Sequence, residues 1–191
     1  MRITAASMKA LNSILVFAAA FLGIFCEAVI PGPRHLLGAQ IDLLPALMIY
    51  AALKTNITVV SALAVFGGIC FDSLSANTLG VSILPLLAVG FPVYLQRELI
   101  LRELPFAQFI LGGIASAVAP LIAVLLLLSA GKQPLVGWGS LWQWIVMIAG
   151  GALATPVFFA LFGWCDNAFG YKPRTETSFR PDREILRGRN K

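Results

Sequence analysis

The chain has 191 residues, 59% hydrophobic and 12% charged, with a net charge of +5. Soluble domains carry about a quarter charged residues, so this composition lies far outside the soluble globular class. A membrane β-barrel is excluded as well, because its strands alternate apolar and polar residues and the apolar runs between residues 10 and 164 do not. The composition predicts an all-α polytopic membrane protein.

A hydrocarbon core ~30 Å thick takes about 20 apolar residues per helix. Six segments fit, at roughly residues 10–30, 41–53, 57–71, 79–96, 106–129 and 141–163. The first, LNSILVFAAAFLGIFCEAVI, follows Arg2 and Lys9. It is long and joins a string of similar runs, which favours a retained membrane helix over a cleaved signal peptide. The connector PGPRHLLGAQ holds His35, the single histidine of the chain. Segments two and three are short and separated at Lys54–Asn56. One broken helix, or a helix with a re-entrant piece, also fits them, since irregular backbone is tolerated at membrane depth where protein shields it.

Segment three runs into GGICFDSLSANTLG, where Asp72, Ser73, Ser75, Asn77 and Thr78 crowd five hydrogen-bonding side chains into seven residues. Such residues favour turns and caps because their side chains bond nearby backbone groups. Asn77 or Thr78 is placed to cap segment four, with Gly80 in its first turn. The cluster reads equally as a turn between two helices and as a polar knot that binds a ligand or shapes a surface for a partner. Gly-Gly pairs mark segments three, five and six. Gly112 with Ser116, Gly113 with Ala117, Gly150 with Ala154 and Gly151 with Thr155 continue them at helical spacing. Small residues four apart let membrane helices approach closely, so Gly112, Gly113, Gly150 and Gly151 are predicted helix-packing positions. Pro45, Pro85, Pro92, Pro120 and Pro156 predict kinks whose freed carbonyls neighbouring helices must satisfy. Trp138, Trp142 and Trp144 stand at the start of segment six as an interfacial aromatic anchor.

Six spans with a cytoplasmic N-terminus put twelve of the fourteen basic residues inside and leave Arg34 and Lys132 outside, as the positive-inside rule requires. Both termini are then cytoplasmic. The domain plan is a bundle over 1–165 and a basic tail over 166–191, with seven Lys/Arg from Lys172 onward. That tail suits anionic lipids of the inner leaflet. The positive charge is explained by topology, so nucleic-acid binding has no support.

The sequence offers little chemistry. Cys26, Cys70 and Cys165 lack metal-ligand spacing, His35 stands alone, and Glu27, Asp42, Asp72 and Asp166 are scattered near the spans without sharing a helix face. The Gly-Gly pairs lack the strand–loop–helix context and the lysine of a phosphate loop. No catalytic residue, metal or cofactor is expected.

The pattern G-x-x-x-D-x-x-S-x-x-x-L-G, read as Gly68, Asp72, Ser75, Leu79 and Gly80, resembles the central motif of the rod shape-determining MreD family. DLLPALMIYAAL (42–53) is similar to the family's preceding segment, and Pro156 to its late proline. The order of Asp42 and Pro45, Ala76 in place of glycine, and the longer tail depart from the family pattern. The resemblance implies a non-enzymatic inner-membrane scaffold of the bacterial elongation complex. Its partners would be MreC, the cell-wall polymerase and transpeptidase, and, indirectly, the MreB filament. It also implies a motif and partner-contact role for Gly68, Asp72, Ser75, Leu79 and Gly80, and a compact bundle similar to the capture subunits of energy-coupling-factor vitamin importers. Such a capture subunit is the alternative function. It needs a polar and aromatic pocket, for which Asp72, Ser75 and Asn77 with Trp138 or Trp142 are the available residues.

Overall fold

The computed structural model describes residues 5–29, 38–75, 78–100, 104–132 and 137–169. Arg2, Arg34, His35, Ala76, Asn77, Arg102 and the basic tail from residue 170 onward lie outside them. The described residues form six α-helices and no strand: α1 Ala5–Val29, α2 Leu44–Lys54, α3 Ile57–Leu74, α4 Ile83–Leu95, α5 Pro105–Ser129 and α6 Trp138–Phe169. The helices α1, α3, α5 and α6 are long and apolar enough to cross a membrane. The other two have 11 and 13 residues, about 16 and 20 Å at 1.5 Å per residue, short of a ~30 Å core.

The shortest helix is the most enclosed. Every residue of α2 from Leu44 to Leu53 is buried, so it is apolar all round because protein, rather than lipid, surrounds it. One side of α2 joins Leu47, Met48 and Tyr50 to Val16, Val60 and Phe162. The other joins Ile49 and Leu53 to Val89, Ala115 and Ala119. Tyr50 stacks on Phe162 with ring centroids 4.3 Å apart and meets Phe159 edge-on at 5.0 Å. Its hydroxyl donates to Asn12 Oδ1 at 3.2 Å, giving the phenol the polar partner that a buried tyrosine needs.

α2 and α3 are two helices, not one broken rod. Thr55 and Asn56 between them are extended, and Thr55 closes α2 by donating both its N–H and its hydroxyl to Ala51 O. Arg97 Nη1 donates to Thr55 O at 3.1 Å while its guanidinium lies 4.4 Å from the Tyr94 ring centre. A cation therefore sits at the negative end of α2 and ties α4's end to it.

The most extensive helix contact is α5 with α6. A Cβ on Gly112 would overlap Thr155 Oγ1 and lie 2.5 Å from Gly151 O, and one on Gly151 would overlap Ser116 Oγ. Gly112, Ser116, Gly151 and Thr155 thus form one crossing. Gly113 faces Ala152 at ordinary contact distance, and Gly150 faces Ile41 rather than α5. Pro120 cannot donate to Ser116 O and crowds the preceding turn. One residue away, Trp144 Nε1 donates to Ala117 O at 3.0 Å. Trp144 is therefore half-buried and tied to α5, whereas Trp138 and Trp142 are exposed. α6 runs beyond the predicted segment at both ends, to Trp138 and Phe169.

Candidate functional site

The Asp72 turn is built from α3 outward. Gly68 and Asp72 are one helical turn apart and therefore on the same face. A Cβ on Gly68 would come within 2.9 Å of Ile83 N. Only a residue without a side chain lets the start of α4 lie against α3 there. Asp72, 1% exposed, reaches across to the same point. Its Oδ2 accepts the Gly80 N–H at 2.8 Å and the Ser82 N–H at 3.1 Å, and its Oδ1 accepts the Ser82 hydroxyl at 2.5 Å. Gly80 has φ +93°, a conformation in which other residues are strained. The carboxylate thus holds backbone donors just ahead of α4, a long-range counterpart of a helix N-cap.

This geometry corrects the expected start of the fourth segment. Residues 78–82 form turns and α4 begins at Ile83, so Thr78 does not cap it and Gly80 precedes its first turn. Asp72, eight to ten residues back in sequence, supplies what a local cap would have supplied. Ser73 and Ser75 donate their hydroxyls to Ile69 O and Phe71 O, the carbonyls four residues back. Leu79 is 67% exposed, and Thr78 accepts a contact from Lys132 Nζ at the end of α5. Of the five motif residues, Gly68, Asp72 and Gly80 converge on one clamp. Ser75 ends α3, and Leu79 projects outward. Both oxygens of Asp72 are engaged internally, so its carboxylate is not a free contact; it acts on the outside through the turn it shapes.

A second carboxylate arrangement was not legible in the sequence. Glu27 Oε1, near the end of α1, accepts the Leu43 N–H at 2.8 Å, and Asp42 Oδ1 accepts the next one, Leu44 N–H, at 2.9 Å. Two carboxylates scattered in sequence converge on the N-terminus of α2, where the helix dipole favours negative charge. Beside them Gln143 Nε2 donates to Gln40 O and Gln143 Oε1 accepts the Gln40 N–H, which fixes the approach to α2 against α6. The placement of Asp42 just ahead of a helix carrying proline in its first turn is a local signal. The Glu27 and Gln143 contacts are tertiary and leave no pattern.

Two recesses adjoin these groups. One of about 130 Å³ is bordered by Glu27, Gln40, Phe71 and Ser75, the other of about 120 Å³ by Asp42, Phe71, Ser82 and Met147. Both are smaller than the ~300–1,000 Å³ of ordinary small-ligand sites. Among the described residues no group of three His, Cys, Asp or Glu side chains is placed to hold a metal. Comparison of the chain with protein-family models, with curated proteins and with solved structures yields no match.

Proposed function

We propose that this chain is a non-enzymatic membrane scaffold of the MreD type. It would cross the membrane six times with both termini cytoplasmic and link an MreC-like partner to wall-synthesis enzymes. The observation that carries the reading is the use of the motif: Gly68, Asp72 and Gly80 are spent on holding the α3–α4 turn. That leaves Leu79 and Thr78 exposed beside the held residues Gly80 and Ser82, as a partner-facing surface requires. The modest size of the two adjoining recesses favours a scaffold over a vitamin-capture subunit, which must enclose its ligand.

The test is affinity purification of the detergent-solubilised protein with mass spectrometry of what accompanies it. A single-span coiled-coil protein together with wall synthases is the expected result. Recovery of a pair of ATPases with a transmembrane coupling subunit would overturn the proposal in favour of vitamin capture. Within the scaffold reading, Asp72→Ala lowers recovery of the coiled-coil partner, because the exposed turn loses its anchor.

A further inference from the structure

We infer that a polar niche between α1, the end of α2 and the start of α3 binds a phosphate group at the membrane surface. The inference does not rest on the scaffold reading. Five residues border the niche, Asn12, Ser13, Lys54, Thr55 and Asn56, and none of them is apolar. Asn12 opens the apolar stretch of α1, and Asn56 stands just ahead of the span-length helix α3. The niche therefore lies where two apolar stretches end, at the level of the headgroups. Basic pockets between spanning helices at that level take up lipid head groups. With about 60 Å³ of room, the niche holds a head of a few atoms and leaves the rest of a ligand outside.

The groups around it select an anion. Lys54 supplies positive charge at the border, and no carboxylate joins it there among the described residues. Asn12 Oδ1 accepts the Tyr50 hydroxyl, which fixes the amide and leaves its two N–H donors as the end for a ligand. Asn56 makes no capping bond to α3 and is exposed, so its amide also remains for a ligand. The backbone acceptors beside the niche are already in use. Ala51 O takes both the N–H and the hydroxyl of Thr55, and Thr55 O takes Arg97 Nη1. Arg97, held over the Tyr94 ring, thus brings a second cation up behind Thr55. Glu98 follows it in sequence but is exposed and does not border the niche. An ammonium and two amides without a carboxylate fit a compact oxyanion, and a phosphate has oxygens enough to accept from all three. Phosphate groups occur in phospholipid heads and as free phosphate, and the niche recognises the chemistry common to both.

The test uses the purified full-length protein in dodecylmaltoside micelles and dioleoylphosphatidylglycerol, with dioleoylglycerol as the control that keeps the chains and lacks the phosphate. A ligand that binds only the folded form raises the melting temperature with concentration. The expected result is a saturable rise with phosphatidylglycerol and none with dioleoylglycerol. Lys54→Gln, at an exposed position and with the basic tail intact, should need about fivefold more lipid for the same rise. Asn12→Asp keeps an acceptor for Tyr50 but turns the donor end into a carboxylate, and should abolish the rise. Equal responses to the two lipids, or equal responses of wild type and Lys54→Gln, would overturn the proposal whether or not Asn12→Asp folds. Sodium phosphate against sodium chloride at equal ionic strength separates the two sources. A Lys54-dependent rise with phosphate as well identifies a site for any phosphate group, and a rise with phosphatidylglycerol alone identifies a lipid head group.

Discussion

Replacing Asp72 by alanine removes three hydrogen bonds at once, two from backbone N–H groups and one from the Ser82 hydroxyl. Interhelical hydrogen bonds measured in a membrane protein average ~0.6 kcal/mol and reach ~1.7, so three of them amount to about 2–5 kcal/mol. The upper part of that range is the better expectation. The acceptor is a buried carboxylate, and its loss strands two donors ahead of α4, each costing about 1–3 kcal/mol if it stays buried and unpaired. Asp72→Asn keeps one acceptor oxygen and should fall between wild type and alanine. Gly80→Ala attacks the same turn from the backbone, at about 1–2 kcal/mol for forcing a side chain into a left-handed conformation. Reversible unfolding in mixed micelles, followed by circular dichroism and tryptophan fluorescence, gives the global effect. Hydrogen exchange at the Gly80 and Ser82 amides gives the local one. A loss below about 1 kcal/mol with unchanged exchange at both amides would refute the view that this carboxylate anchors α4.

Two further predictions concern packing and topology. Gly112→Ala should destabilise by about 1–3 kcal/mol, the usual cost of overpacking, because the added Cβ meets Thr155 and the Gly151 carbonyl. Gly163→Ala, on α6 with no atom within 4 Å of the added carbon, should stabilise by about 0.5–1 kcal/mol through helix propensity; both are read in the same unfolding assay, and equal effects would refute the assigned crossing. In a background without Cys26, Cys70 and Cys165, cysteines at the exposed positions Asn56 and Thr78 flank α3. A membrane-impermeant maleimide should label them from opposite faces, Asn56 from the cytoplasmic one, and labelling of both from one face would refute α3 as a span.

Much of the architecture was written locally. Apolar runs placed six helices to within a few residues, since a helix in lipid must satisfy its backbone internally and so announces itself by composition. Gly112 and Gly151 were legible as close-approach positions for a similar reason: a missing side chain four residues from another small one marks a helix face on sight. The sequence also marked the Asp72 stretch as unusual, but left its meaning divided between a turn and a polar knot. Depth and partnership were not written there. That α2 is enclosed on all sides, that Gly150 meets Ile41 rather than α5, and that Trp144 is tied to Ala117 on α5 all depend on which helices lie beside one another. The start of α4 moved to Ile83 because Asp72, on another helix, holds the preceding turn. Glu27 and Asp42 met at one helix terminus for the same kind of reason. Local propensity and hydropathy are properties of a segment and can be read along the chain. A hydrogen bond or a counter-charge is a property of two groups in space, and only the packed bundle decides which two those are.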